Sequence, residues 1–268
     1  MSPGEEKPDY LINPEGLRLD GRRPDEMRPL ELKVGDVIRN ADGSASIKQG
    51  NTYIVAAIYG PRELHPRHLA LPDRAYLRCN YRMTTFSVPD RKRPAPSRRE
   101  REISMVIRNA LEPALFLEEF PEAVIDVYIY VLQADGGTRC ASINAASLAL
   151  ADAGVPMRSL VPSIAVGKAD GTLLVDLGDM EDKYGGGDVP MAIIPHTESI
   201  TLLQQDGSFT REELLEAMRM GINACKVLHE RQKDAIKRAY VREPGDDDDE
   251  YEDDLEDDLG EAAIPGED

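Results

Sequence analysis

The sequence predicts an α+β protein built from two related lobes. Each half of the chain runs through strand-like stretches first and helical stretches afterwards. The 268 residues, 41% of them hydrophobic, are enough for one large or two small cores. No stretch approaches the ~20 consecutive apolar residues of a membrane-spanning helix. We therefore expect a soluble protein with no membrane contact, whose functional site lies between the lobes.

The first half begins with short strands and continues into a capped helix. The strands are expected at residues 30–38, 43–49, 52–59 and 75–83. Ser97 and Glu100 have the spacing of a capping box, so a helix begins there, and Pro113 bends or ends it. Alternating apolar residues predict a strand at 125–131, and a buried helix is expected at 141–153.

The second half repeats this order. Strands are expected at residues 160–166, 172–177, 191–194 and 199–204. Thr210 and Glu213 form a second capping box, and the last helix should run to about Arg238. Its predicted buried stripe consists of Leu214, Met218, Ile222, Cys225 and Leu228.

Charge divides the chain into three parts: a polar lead at 1–15, a folded region at 16–242 and a tail at 243–268. The tail holds 15 acidic residues and no Lys or Arg, which leaves 35 acidic against 32 basic residues in the rest of the chain. A block of like charge repels itself, so we expect the tail to be disordered. The folded region is then nearly neutral, and the acidic pI of 4.7 does not exclude a nucleic-acid ligand.

Several chemistries are disfavoured by the cysteines and histidines. Cys79, Cys140 and Cys225 form no CxxC pair, which argues against a zinc site or a disulfide framework and fits a reducing cytoplasm. The four histidines show no metal-binding spacing, and the chain contains no Gly-x-Ser-x-Gly motif.

A basic stretch surrounds the start of the first predicted helix. Arg98 and Arg99 would occupy its first two positions, where the helix dipole already places partial positive charge. Such a stretch is either a solvated basic loop or a site for phosphate or an RNA backbone.

Two further segments could carry chemistry. Gly136-Gly-Thr-Arg lies between a strand and a helix, where it is either a plain turn or an anion-binding loop. Acidic residues surround Gly185-Gly-Gly: Asp176, Asp179, Glu181, Asp182 and Asp188. They form a solvated loop, bind Mg²⁺ or donate a proton.

Taken in order, four motifs resemble the RNase PH family of phosphorolytic exoribonucleases over residues 15–242. They are Leu17-Arg-Leu-Asp-Gly-Arg-Arg-Pro, Ser97-Arg-Arg-Glu, Gln133-Ala-Asp-Gly-Gly-Thr-Arg and Asp179-Met-Glu-Asp-Lys-Tyr-Gly-Gly-Gly-Asp. The resemblance implies an RNase PH-like fold of two βα lobes with mixed sheets, and 3′-to-5′ phosphorolysis of RNA to nucleoside 5′-diphosphates. Inorganic phosphate would be the co-substrate.

The family pattern also assigns roles to residues. Gly137, Thr138 and Arg139 would hold the attacking phosphate, and Arg99 would help to fix it or the scissile group.

The remaining roles concern the leaving group and the RNA. The resemblance implies that Asp182 and Asp188 hold Mg²⁺ or protonate the departing 3′ oxygen, with the division between them open. It implies that Arg67 and Arg98 contact the RNA backbone near its 3′ end.

Within the family the chain is most similar to the catalytic ring subunit of the archaeal exosome, because Val-Pro follows Asp188 where the bacterial enzymes have Met-Asn. That branch implies a hexamer of three heterodimers with a related inactive subunit, RNA-binding cap subunits and a cytoplasmic location. The alternatives are a bacterial-type homohexamer that trims tRNA 3′ ends, an inactive ring subunit that guides RNA, and a hydrolytic nuclease.

Overall fold

The computed structural model describes Pro8 and residues 10–241 of the chain. The predicted tail, 243–268, and most of the polar lead before residue 10 lie outside the described residues. Among the described helices, none combines the length and the apolar character needed to cross a bilayer.

The first lobe is a five-stranded sheet covered on one face by helices. Its strands lie in the order β1-β2-β3-β5-β4, and only β4 and β5 run parallel to each other. The strands are β1 (Leu30–Val34), β2 (Gly43–Gln49), β3 (Thr52–Glu63), β4 (Tyr76–Met83) and β5 (Ala123–Gln133). The helices are α1 (Arg98–Leu111) and α2 (Thr138–Asp152), with short 3₁₀ turns at Arg67–Leu69, Glu112–Ala114 and Leu117–Glu119.

The second lobe is a smaller antiparallel sheet packed against one long helix. Its path is β10-β8-β6-β7, with β9 paired to the other edge of β8. The strands are β6 (Ser163–Ala169), β7 (Thr172–Val175), β8 (Gly187–Ile194), β9 (Ser199–Leu203) and β10 (Asp206–Gly207). The helices are α3 (Asp179–Tyr184) and α4 (Arg211–Tyr240).

Helix α2 joins the two lobes. It contacts β2 and β3 of the first sheet and β6 and β8 of the second, and every residue from Cys140 to Leu150 is buried. A helix covered on all sides shows no apolar stripe, which is why its small and apolar residues are not segregated to one face. The N-terminus of α2 consequently opens at the junction of the lobes.

Several predicted boundaries were wrong. The strand expected at 30–38 ends at Val34, and the one expected at 160–166 begins after Pro162, which cannot donate to a ladder. The helix expected from residue 141 begins at Thr138, because Gly137 adopts the left-handed conformation (φ 64°) and serves as its N-cap.

The acidic segment is a helix and a strand rather than a loop. Asp182 lies on α3 and Asp188 lies on β8. Because α3 has only six residues, no apolar period could reveal it in the sequence.

The predicted stripe of α4 was correct only in part. Cys225 and Leu228 are buried, but Leu214, Met218 and Ile222 are only half-buried. The helix lies close to the sheet at Gly221, where an added Cβ would be 2.1 Å from the sulfur of Met191.

The packing of α2 on β2 generates a test. A Cβ on Gly43 would lie 2.2 Å from the backbone nitrogen of Ala153 and 2.5 Å from the carbonyl oxygen of Ala149, so Gly43→Ala must displace backbone. We expect a loss of about 1–3 kcal/mol in the free energy of unfolding, measured by urea denaturation. Gly186→Ala is the matched control, because its Cβ would meet nothing nearer than 3.5 Å. Equal effects of the two substitutions would contradict this packing.

Candidate active site

A cavity of about 640 Å³ lies where the two lobes meet. It is lined by α1 and the N-terminus of α2 on one side and by α3, β8 and the segment after β9 on the other. Six residues singled out from the sequence line it together: Arg99, Gly137, Thr138, Arg139, Asp182 and Asp188.

The first turn of α2 is an open set of backbone donors. Helices α1 and α4 begin with capping boxes, whereas no side chain caps the N-terminus of α2 at Gly137. The first amide groups of a helix have no partner within the helix, and the helix dipole adds partial positive charge there. This end of α2 is therefore suited to bind an anion inside the cavity.

Two glycines bring this turn against the acidic helix. Gly136 and Gly137 both have positive φ, 73° and 64°. A Cβ on Gly136 would lie 2.7 Å from the carbonyl oxygen of Leu177, in the segment that leads into α3. Only glycine permits this approach, so the anion-binding turn and the helix of Asp182 are packed directly together.

A buried ion pair holds the turn in place. Arg28 donates to Asp176 from Nε (3.0 Å) and Nη2 (2.7 Å), and it also donates to the carbonyl oxygen of Asp135. Thr52 donates from Oγ1 to the carbonyl oxygen of Gly136 at 2.9 Å. Burial alone would raise the pKa of Asp176, but Arg28 outweighs it and holds the pKa below its ordinary value.

A second buried pair anchors α3. Arg18 donates from Nε to Glu181 at 2.7 Å and from Nη2 to the carbonyl oxygen of Asp176 at 2.8 Å. Glu181 also accepts from the amide of Gly178 at 2.8 Å, at the start of α3. The motif at residues 17–24 therefore holds α3 in place, through an Arg18 side chain that is only 2% exposed.

Four cationic side chains line the cavity, Lys92, Arg99, Arg139 and Lys183, and the two arginines were singled out from the sequence. Arg139 donates to Oε1 of Gln204 at 2.6 Å, and its buried Nε has no hydrogen-bond partner among the described residues. A buried donor without an acceptor is costly, so this guanidinium is ready for an anionic ligand. Arg99 reaches the cavity from the second position of α1, whose start is fixed by the reciprocal bonds of Ser97 and Glu100.

Two carboxylates face these cations. Desolvation in the cavity raises the pKa of Asp182, and desolvation together with the charge of Asp182 raises the pKa of Asp188. Arg99 and Arg139 act in the opposite direction on both groups. A carboxyl group with a raised pKa is better able to carry and donate a proton near neutral pH.

The same pair suits a magnesium ion. No cluster of three or more potential metal-ligating side chains occurs within residues 10–241. Mg²⁺ does not need one, because it usually binds one or two carboxylates and completes its shell with phosphate oxygens and water. Neither Asp182 nor Asp188 forms a hydrogen bond or ion pair with another described side chain, so both remain available as hard oxygen ligands.

Arg67 and Arg98 do not line the cavity. Arg98 is exposed beside Arg99. Arg67 is exposed on the 3₁₀ turn that precedes β4, and it donates from Nε to Glu63 at 2.8 Å. The cavity touches the other end of β4, at Met83, roughly 20 Å along the strand from its first residue.

Sequence reasoning missed several residues of the cavity. Gln204 and Asp206 line it beside β8, and Asp206 pairs with Asp188 in the sheet register. In the sequence Gln204 was only the last residue of the strand expected at 199–204, and Asp206 carried no signal. Tyr81 lies on β4 with its hydroxyl against Thr138, and in the sequence it was an ordinary strand residue.

Comparison with known proteins agrees with this architecture. Residues 26–156 match the model of the 3′ exoribonuclease family (RNase PH), domain 1, and residues 159–224 match domain 2 of the same family. The chain belongs to the RNase PH family of 3′ exoribonucleases. The family predicted from the four motifs is thus confirmed, and the two matches divide the chain between α2 and β6, where the two lobes divide.

Close relatives cover most of the chain. It is 56% identical over 232 residues to exosome complex component Rrp41 of Pyrococcus furiosus, a match that covers 87% of this chain and 92% of the relative. It is 53% identical over 236 residues to the protein of the same name from Methanopyrus kandleri, covering 88% and 98%.

Solved structures of low sequence identity share the fold. Rice Rrp46 superposes with a TM-score of 0.74 at 23% identity and covers 82% of this chain and 100% of its own. A chain of the Archaeoglobus fulgidus exosome with RNA bound to the active site superposes with a TM-score of 0.72 at 24% identity, covering 81% and 93%. The predicted RNase PH-like fold is therefore confirmed.

The raised pKa values of Asp182 and Asp188 predict that these ionised carboxylates lower the free energy of unfolding. Asp188→Asn should raise the free energy of unfolding at pH 7, by up to about 2 kcal/mol, because the neutral amide is not repelled by Asp182 and is cheaper to desolvate. A carboxyl whose folded pKa exceeds its unfolded pKa carries no penalty when both states are protonated. The penalty grows as the pH rises past the unfolded pKa and is complete above the folded pKa. The advantage of the variant should therefore shrink as the pH falls toward about 4.

Urea denaturation at both pH values measures this difference. Asp234→Asn on the exposed side of α4 is the control, and it should change the free energy of unfolding by less than about 0.5 kcal/mol. A loss of stability in Asp188→Asn at pH 7 would contradict the interpretation.

Proposed function

We propose that this chain is the catalytic subunit of a phosphorolytic 3′-to-5′ exoribonuclease ring of the archaeal exosome type. The observation that carries the proposal is the cavity in which two arginines and the uncapped N-terminus of α2 face Asp182 and Asp188. More than half of the aligned residues are identical in relatives named as exosome components, which supports the assignment to this branch.

The reaction joins two anions, so it needs concentrated positive charge. An oxygen of inorganic phosphate attacks the phosphorus of the 3′-terminal phosphodiester, and the bond from that phosphorus to the 3′ oxygen of the preceding nucleotide breaks. The terminal residue leaves as a nucleoside 5′-diphosphate. Gly137, Thr138 and Arg139 hold the attacking phosphate at the end of α2, and Arg99 fixes it or the scissile group from α1.

The departing 3′ oxygen requires a proton or a cation. Asp182 and Asp188 are the groups placed to serve it, one as the acid and one or both as ligands of Mg²⁺. When bound, Mg²⁺ would neutralise charge on the phosphate oxygens. The raised pKa of each carboxyl suits the acid, and a bound cation would relieve the repulsion between the two ionised groups, so the division between them stays open.

RNA approaches as a single-stranded 3′ end. Arg98 lies beside the cavity and Arg67 lies at the far end of β4, so both are proposed to contact phosphates of the RNA backbone rather than the reacting group. We also propose that the chain assembles with a related inactive subunit as a hexamer of three heterodimers, with RNA-binding cap subunits, in the cytoplasm.

The products of the reaction test the proposal. The chain is mixed with the related ring subunit, Mg²⁺ and 3′-labelled oligo(A), with and without inorganic phosphate. We expect labelled nucleoside diphosphate only when phosphate is present. Asp182→Asn and Asp188→Asn should each slow its release by at least about 10²-fold, because acid catalysis or the metal site is lost, and RNA affinity should change little.

The outcomes separate the alternatives. Nucleoside monophosphate would indicate hydrolysis, and RNA binding without any product would indicate an inactive ring subunit. Undiminished phosphate-dependent rates in both aspartate variants would contradict the site assignment, and Asp234→Asn should match the unmodified chain.

Oligomeric state tests the branch of the family. Light scattering should show that the chain alone forms no stable active hexamer and that a hexamer with activity appears when the related subunit is added. An active homohexamer of this chain alone would instead identify the bacterial-type enzyme.

A further inference from the structure

Tyr81 lies beneath the anion-binding turn and is engaged with it through its hydroxyl group. The side chain is buried at 1% exposure, and the hydroxyl lies 3.2 Å from Oγ1 of Thr138. Burial raises the pKa of Tyr81, so the phenol remains protonated and able to donate. Thr138 is its only hydrogen-bond partner among the described residues.

The chemistry of two adjacent hydroxyl groups gives this contact a direction when an anion is bound. A threonine hydroxyl has one proton to donate and two lone pairs that accept. Phosphate oxygens are acceptors, so the proton of Thr138 points to the ligand and its oxygen must accept from elsewhere. Tyr81 is the donor in position to fill that need, and a chain of donors strengthens the last bond in it.

The phenol is also held at a fixed place. The amide of Tyr81 donates to Oγ of Ser104 at 2.9 Å, and that hydroxyl donates to the carbonyl oxygen of Glu100 at 2.7 Å. Glu100 in turn accepts from the amide of Met83 at 2.9 Å. The strand that carries Tyr81 is thus tied to α1, the helix of Arg99, while its hydroxyl reaches α2.

We propose that Tyr81 is a positioning residue for phosphate, which orients the hydroxyl group of Thr138 by donating a hydrogen bond to it. The proposal rests on the proposed function, because it takes Thr138 to be a phosphate ligand. Tyr81 touches neither the phosphate nor the RNA in this arrangement. Its loss should weaken phosphate binding and leave RNA binding and the maximal rate nearly unchanged.

The test is Tyr81→Phe, which keeps the buried ring and removes only the hydroxyl. In the complex with the related ring subunit, we expect the KM for phosphate to rise about fivefold, the equivalent of about 1 kcal/mol for one neutral hydrogen bond. The kcat at saturating phosphate and the Kd for RNA, measured by fluorescence anisotropy without phosphate, should each change less than about twofold. Phosphate binding to the complex by calorimetry gives a readout that needs no turnover.

A double-mutant cycle with Thr138 tests whether Tyr81 acts through that residue. In a Thr138→Val background, Tyr81→Phe should have no further effect on the KM for phosphate, whereas in a Thr138→Ser background the fivefold effect should persist. Tyr240→Phe is the matched control, because its hydroxyl bonds Asp152 at the other end of α2 (2.8 Å), about 20 Å from the site.

Each outcome decides one question. A complex of unmodified chains whose rate does not depend on phosphate would refute the proposed function itself. Phosphate-dependent activity with an unchanged KM in Tyr81→Phe would overturn the positioning role alone. An equal fall in kcat and RNA affinity, or an undiminished effect in the Thr138→Val background, would show that Tyr81 acts through the packing of β4 instead.

Discussion

The buried ion pair between Arg28 and Asp176 is the interaction on which the rest of the site depends. The guanidinium reaches the carboxylate of one lobe and the carbonyl oxygens of Asp135 and Gly136 in the other. A buried charge is tolerated only when it is paired and hydrogen-bonded, so this arrangement permits a single relation between the lobes. The anion-binding turn and the acidic helix keep their relative position because neither can shift without leaving a buried charge unpaired.

Because this ion pair holds the two lobes together, the cavity can contain unpaired or mutually repelling charged groups that folded proteins otherwise avoid. Arg139 holds a buried donor without a partner, and Asp182 and Asp188 repel each other in a partly desolvated site. Such groups lower stability in the free protein. In the proposed reaction they place positive charge where two phosphates meet, and they provide carboxyl groups whose pKa is raised toward the range in which a proton can be donated.

Much of this could be predicted from particular residues. The capping boxes at Ser97 and Thr210 placed the starts of α1 and α4 correctly, because that signal is contained within four consecutive residues. The alternation of apolar and polar residues that predicted β5 is also contained within a short stretch of the chain. The start of α2 was placed three residues late, because the conformation of Gly137 is set by contacts with Arg28 and the segment before α3, which are distant in sequence.

The sequence by itself determined the family, the two-lobed α+β architecture and the residue types that gather at the site. Ordered motifs and local periodicity can be recognised from neighbouring residues, without knowledge of tertiary contacts. Only the tertiary structure decided that Asp182 stands on a helix and Asp188 on a strand, that Gln204 and Asp206 join them, and that Tyr81 bonds Thr138. These relations come from the packing of α2 between two sheets and from the sheet register. Both bring together residues that are tens of positions apart, and no local pattern in the sequence reveals that these residues are close in space.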